Sequence, residues 1–373
     1  MTIAFSFLTN NKLASNGNFI REAFNQIAQF HLEHTFLFIS NEPSGFSILP
    51  GNVVPVVAGY EAKSTMKWFI WYNFKIRKIL KKYKADVFIS AQFCSLITGV
   101  PQVLISPDLG FIHQPSSVNK KQRLFYKKCT PRFLKKSKII IALSQFEKAD
   151  IIKQYKTDPA KVAVIYEGIN ENDKPVNFDE REIIKEKYAD ENEYFIYAGM
   201  IGPQKNLINL LKAFSVFKKR QRSSMQLIIA GNSGKQFEQF KKLLSLYKFK
   251  NEVKLLSGLP EQQTVKIIAS SYAMVNPSVY EISAHALLTA MKCEVPAIAS
   301  STSAVPELCG EAALYFNPVD HKSIAEKMME IFTNEKLRKE LIEKGNLQVQ
   351  KYNWEKSANA LWQVIEKIAV IQT

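Results

Sequence analysis

The feature that most constrains this chain is an alternation of two periodicities. Short apolar runs of about four to eight residues recur almost throughout, with helical stretches between them. In the first half, the runs at 2–8, 35–39, 86–90 (DVFIS), 101–106 (PQVLIS) and 138–143 (KIIIAL) read as strands, with helices at 19–30 and 66–83. Another strand is expected at 163–166. Residues 170–192 are polar, acidic and strand-poor, which places a linker and a lead-in helix there. A second series opens with YFIYA at 194–198 and continues with strands at 225–230, 253–256, 273–275, 297–299 and 313–316. Helices are expected between them at about 206–220, 235–247, 260–269 and 283–292. Buried strands joined through helices build parallel sheets, because a parallel pair needs a long crossover. The 373 residues therefore predict an α/β protein of two Rossmann-like doubly wound domains, 1–170 and 171–353, facing across a cleft.

Composition narrows the class. At 46% hydrophobic and 23% charged residues, the chain is neither disordered, nor collagen-like, nor a small disulfide scaffold. Cys94, Cys129, Cys293 and Cys309 are far apart with no C-x-x-C pair, so they read as reduced thiols of a cytoplasmic protein. The first residues read as a β-strand rather than a signal peptide. No apolar run approaches the roughly 18 residues that a membrane-spanning helix needs.

The charge is uneven. Residues 1–170 carry 23 Lys and Arg against 10 Asp and Glu, a net +13, whereas the remainder carries 27 against 24, a net +3. Two stretches dominate, KWFIWYNFKIRKILKKYK at 67–84 and KKQRLFYKKCTPRFLKKSK at 120–138. Basic residues interleaved with aromatics suit an anionic membrane surface or nucleic acid. They equally suit a solvated helix face whose aromatics point into the core. Two such stretches in one half favour the membrane surface, which would make the protein peripheral on the inner face of the cytoplasmic membrane. Nucleic acid is not expected, because no binding motif accompanies the charge.

Two segments carry candidate chemistry. Residues 199–206 (GMIGPQKN) follow the strand YFIYA and precede a helix. Gly199 and Gly202 permit a tight turn, the helix start offers free amides, and Lys205 adds a positive charge, a combination that suits a diphosphate. A plain strand-to-helix turn with a surface lysine reads equally well. In residues 276–291 (NPSVYEISAHALLTAM), Glu281 follows a strand and precedes a helix. It is placed to accept hydrogen bonds from sugar hydroxyls, or simply to cap the helix.

These segments and several others resemble glycosyltransferase family 4, the retaining nucleotide-sugar enzymes of the GT-B fold. The chain from Tyr197 through Phe214 resembles the family's G-x-x-x-P-R-K-N-L…L-L-x-A-F segment. Glu281 through Pro296 is similar to E-G-F-G-L-P-x-L-E-A-M-A-C-G-x-P, and Ala299 through Ala313 to S-x-x-x-x-x-P-E-x-x-G-x-A-A. Leu227–Gly231, Ser106–Leu109, Leu143–Ile151 and Val164–Ile169 also fit, as does the tail around Tyr352–Glu355. The resemblance implies that a last helix, 354–373, crosses back to the first domain. It implies a donor domain in the second half and an acceptor domain in the first. Lys205 would hold the donor diphosphate and Glu281 the donor sugar. Gly17, Gly199, Gln204, the amides of Ile282, Ser283 and Ala284, and Thr289 would line the donor site. Asp108 and His113 would lie on the acceptor side, although a lone histidine is more often structural.

The implied reaction moves a sugar from a nucleotide diphosphate to a hydroxyl of a glycan or lipid-linked acceptor, with retention, during cell-surface polysaccharide assembly. No metal or other cofactor is implied, since no Asp-x-Asp pair stands in the expected place. The chain departs from the family at several positions, among them Ala284 where glycine is usual and His285-Ala286 in place of Leu-Pro. Thr289 stands where the family carries a second glutamate, used on the donor ribose. Met200 and Gln204 stand at positions of phosphate-binding arginines, and Pro107 replaces a histidine. These departures motivate an alternative, a catalytically degenerate GT-B binding or scaffold subunit. A nucleotide-sugar epimerase of the same fold is a third reading.

Overall fold

The computed structural model describes residues 1–8, 17–41, 50–59, 65–91, 93–107, 109–231 and 235–370. The chain divides into two units, Met1–Gly168 with Asn353–Thr373, and Ile169–Tyr352.

The first unit is built on β1 (Thr2–Ser6), β2 (Thr35–Ser40), β3 (Val53–Val57), β4 (Val87–Ala91), β5 (Gln102–Ile105), β6 (Ile139–Ala142) and β7 (Val162–Val164). They form one parallel sheet in the order β3-β2-β1-β4-β5-β6-β7. Its helices are α1 (Gly17–Phe30), α2 (Thr65–Lys82), α3 (Gly110–His113), α4 (Lys120–Lys136) and α5 (Gln145–Tyr155). The central strands are buried on both faces, which is why they read as unbroken apolar runs. β3 was not foreseen, because Pro55 interrupts the run VVPVV. It is an edge strand paired only with β2, where a missing N–H costs no ladder bond.

The second unit begins with α6 (Phe178–Ala189), continues through β8 (Tyr194–Ala198), α7 (Leu207–Gln221), β9 (Gln226–Gly231), α8 (Lys235–Ser245), β10 (Val253–Ser257) and α9 (Glu261–Ala269), then β11 (Ala273–Asn276), α10 (His285–Lys292), β12 (Ala297–Ser300), α11 (Val305–Cys309), β13 (Ala313–Phe316), α12 (His321–Thr333) and α13 (Glu335–Val349). Its parallel sheet runs β10-β9-β8-β11-β12-β13. From β8 the chain winds first to one side and then to the other, so the order reverses between β8 and β11. The sequence places α10 at 283–292, but the helix begins only at His285. Residues 277–284 are held instead by the loop contacts described below. α7 likewise begins at Leu207, because Asn206 is left-handed with φ 55°.

The last helix, α14 (Trp354–Val370), belongs to the first unit. Trp354, Leu361, Trp362, Ile365 and Ile368 join Phe19, Phe24, Phe5 and Phe36 in one apolar cluster on one face of the first sheet. The other face is covered by α2, α4 and α5. Ser357 Oγ donates to Tyr166 O at 2.7 Å. Gly168 is required at this crossing, since a Cβ there would lie 2.4 Å from Trp354 N. The four cysteines are buried and unpaired.

Candidate functional site

The loops that leave β8 and β11 emerge on either side of the point where the second sheet reverses its order, at the carboxyl ends of the strands. Sheets of this winding bind ligands there. The first loop turns at Gly199, whose φ of 149° disfavours any side chain. Gly199 N donates to Ala230 O at 2.9 Å, and Tyr197 Oη donates to Met200 O at 2.7 Å. Burial, with the charge of Glu281 nearby, holds the Tyr197 phenol far above its ordinary pKa, so it remains a donor. Gly231 lets the loop pass over the end of β9, because a Cβ there would meet Ile201 Cγ1 at 2.7 Å and Gly199 O at 2.8 Å.

The two loops are fastened to each other. Val279 N donates to Gln204 O at 3.0 Å, and Asn206 Nδ2 donates to Pro277 O at 3.0 Å and Pro318 O at 2.7 Å. This backbone frame brings Lys205 Nζ to 2.6 Å from Glu281 Oε1, with side chains only 13% and 14% exposed. Ser278 Oγ donates to the same carboxylate oxygen at 2.8 Å. Glu281 N donates to Ser303 Oγ at 3.0 Å, and Glu281 O accepts from Ala304 N at 3.1 Å. Lys205 is thus not a surface lysine. Nor is Glu281 a helix cap: α10 starts four residues later and has no side-chain cap. The pair is a fixed cation beside a fixed acceptor, and an ammonium with three donors has capacity for an incoming anion.

A cavity of about 170 Å³, lined in part by Gly199 and Met200 of the first loop, opens at the carboxyl ends of β8, β9 and β10. Met200, Leu256 and Leu259 supply apolar walls, Gly231 and Gly258 leave backbone exposed, and Thr264 contributes a hydroxyl. Such a lining accepts a flat apolar ring read through backbone groups. The sequence reading missed Gly258, Leu259 and Thr264, since nothing in their pattern distinguishes them from an ordinary strand-to-helix loop. It also missed Ser278 and Asn206 as positioning residues. A serine three places before Glu281, in the turn after a strand, was the available signal.

Of the other candidates, Gln204 and Ile282–Ala284 flank the pair in the same two loops, and the rest lie further off. Ile282 and Ala284 are buried and Ser283 is half-buried in the turn before α10. Gln204 Oε1 and His285 Nδ1 are buried without a partner. Thr289 is buried on α10, and its hydroxyl donates to Asp173 Oδ2 at 3.3 Å. Burial raises the Asp173 pKa. In the first unit, Gly17 opens α1, and the residues just before it lie outside the described residues, as does Asp108. His113 ends α3, with Nε2 2.7 Å from Asp150 Oδ2, and Asp150 accepts from Gln154 Nε2 at 3.2 Å. Glu147, fully buried, accepts from Ser106 Oγ and from Leu143 N at 2.7 Å, tying together the ends of β5 and β6.

Two doubly wound parallel sheets in this order, with paired loops at the switch point of the second, define a GT-B glycosyltransferase fold. Among solved structures, sucrose-phosphate synthase from Thermosynechococcus elongatus superposes with a TM-score of 0.82 at 17% identity, covering 100% of both chains. Anabaena HepE in complex with UDP-glucose gives 0.77 at 15% identity, covering 98% of this chain and 100% of that one. Residues 20–173 match the family described as Glycosyltransferase Family 4, and residues 179–348 match Glycosyl transferases group 1. The chain belongs to this glycosyltransferase family. Its curated relatives include the O-antigen chain mannosyltransferase B of Escherichia coli, 23% identical over 66% of this chain and 65% of that protein. The O-antigen chain mannosyltransferase RfbU of Salmonella typhimurium is 23% identical over 76% of this chain and 75% of its own. The match to mannosyltransferase B thus spans just under two thirds of that relative.

Proposed function

We propose that the protein transfers a hexosyl unit from a nucleoside diphosphate sugar to a hydroxyl of a glycan or lipid-linked acceptor in the assembly of a cell-surface polysaccharide. The observation that carries this reading is the Lys205–Glu281 pair, held at 2.6 Å by loops from both sides of the switch point. The second unit is the donor unit and the first the acceptor unit. The diphosphate draws on the Lys205 ammonium, and the base occupies the cavity beside Met200 and Gly231. Glu281 accepts from hydroxyls of the sugar and fixes its orientation. Negative charge develops on the leaving diphosphate, and a preorganised cation there lowers the barrier. Transfer proceeds with retention: the acceptor hydroxyl enters from the face the diphosphate leaves, and a diphosphate oxygen takes its proton. These residues supply the electrostatics without a metal ion. The mannosyltransferase names of two relatives support a nucleotide mannose as the first donor to test, and the UDP-glucose bound to HepE supports UDP-glucose as the second.

The test is a donor panel read by thermal unfolding and by slow donor hydrolysis. A donor at 100 times its Kd stabilises by about 2.7 kcal/mol. The expected result is one clear donor, lost in both Lys205→Ala and Glu281→Ala with folding intact. Binding without turnover, with acceptor extracts present, would instead support the degenerate subunit, for which the buried Thr289 in place of a second glutamate is the favouring observation. No binding by any donor would overturn the donor site.

A further inference from the structure

α2 and α4 lie on the same face of the seven-stranded sheet. Trp68, Phe69 and Tyr72 of α2 share one apolar cluster with Phe125 and Phe133 of α4. The Phe69 ring sits 5.4 Å from Phe125 and 5.3 Å from Phe133. These five aromatics of the two basic stretches therefore point inward, as the solvated-face reading expects. The outward faces are not ordinary solvated surface. Met66, Ile70 and Phe74 are 50%, 52% and 59% exposed and follow one another at every fourth residue, a single line along α2. The same line continues into the exposed Arg77, Lys78 and Lys81. On α4, Leu124 is 68% exposed amid the exposed Lys120, Lys121, Lys127 and Lys128. Neither helix contains an Asp or Glu. Among the described residues, Arg77, Lys78, Lys81, Lys127 and Lys128 form no ion pair with an acidic side chain.

We propose that the outward faces of α2 and α4 form a docking surface for an anionic lipid bilayer. An amphipathic face binds such a surface by two terms at once. Apolar side chains enter the boundary between headgroups and acyl chains, and cations meet the anionic headgroups. Both terms are present here, in adjacent positions on adjacent helices. A nucleic acid would use the cations alone. Stacking on bases needs rings, and of the four exposed apolar side chains only Phe74 has one. Among the described residues no helix is long and apolar enough to cross a membrane, so docking is peripheral. The surface stands apart from the glycosyl-transfer reading.

The full chain is sedimented with phosphatidylcholine vesicles with and without phosphatidylglycerol, in the absence of donor, and DNA binding is measured in the same buffers. Binding is expected only with phosphatidylglycerol. Reversing Arg77, Lys78 and Lys81 to Glu is expected to weaken it about 100-fold. Ile70→Gln with Phe74→Gln leaves the charge untouched and is expected to weaken it about tenfold. Phe74→Trp, read as a difference spectrum against wild type, shifts to the blue on anionic vesicles. All these positions are exposed, and unchanged thermal unfolding confirms that the variants fold. Absence of binding to anionic vesicles, or binding indifferent to the charge reversals, overturns the proposal. An unshifted Phe74→Trp together with tighter binding to DNA overturns it in favour of nucleic acid. Because no donor is present, failure here leaves the transfer reading intact, and an inert donor site leaves the surface intact.

Discussion

Lys205 and Glu281 are 76 residues apart in the chain and 2.6 Å apart in space. Each was legible in the sequence as a charged residue in a loop after a strand. Their pairing was not, because it depends on β8 and β11 being neighbours, and spacing along a chain does not encode strand order. Lys205→Ala is expected to lower kcat/KM by about 10²–10³, and Glu281→Gln by a smaller factor, since the amide retains an acceptor for Ser278 but no charge to orient the lysine. Steady-state kinetics on the identified donor checks both. Gly231→Ala tests the frame rather than the chemistry. The new methyl would meet the backbone oxygen of Gly199 at 2.8 Å, so the loop must move, at a cost of about 1–3 kcal/mol in denaturant unfolding and a raised donor KM. Asp173 was invisible to sequence reasoning, since its partner Thr289 is 116 residues away. Its carboxyl pKa is raised by burial, so ionisation opposes folding, and this opposition grows as pH rises from the unfolded pKa through the folded one. Asp173→Asn is therefore expected to match or exceed wild-type Tm at neutral pH. That difference should close as pH falls and the wild-type carboxyl protonates, which a pH series of thermal melts would reveal.

At the scale of elements, apolar runs revealed the strands wherever both faces are buried. They failed at β3, where an edge position tolerates a proline that a central strand would not. They also misplaced the start of α10. The expected start at 283 is two residues early, because Glu281 and the amide of Val279 find partners in neighbouring loops and the turn runs on to Ala284 before the helix begins. α14 was anticipated from the family resemblance rather than from its own pattern. Its hold on the first sheet makes a distinct prediction. Trp362 stacks on His31 at 3.7 Å with 18° between the rings and lies in the cluster with Phe36. Trp362→Ala is expected to destabilise the first unit by about 3–5 kcal/mol in chemical denaturation.

At the scale of the whole molecule, the two units repeat one winding plan with separate cores, and the excess charge belongs to the first. Two cores in one chain need not unfold as one transition. A saturating nucleotide sugar is expected to move only the transition of the unit that holds Lys205 and Glu281, which calorimetry with and without donor can resolve. The second unit is in effect an insertion, entered at Ile169 and left at Tyr352, with Ile169 N donating to Tyr352 O at 3.4 Å. That arrangement imposes an order on birth. At about 5–20 residues per second, a ribosome needs roughly 10–40 s to travel from Gly168 to Asn353. For all of that interval the first sheet exists without α14, with Phe19, Phe24 and Phe36 lacking the helix that buries them. The nascent chain must shelter this sticky flank until α14 emerges, so the unit begun before the insertion is completed only after it.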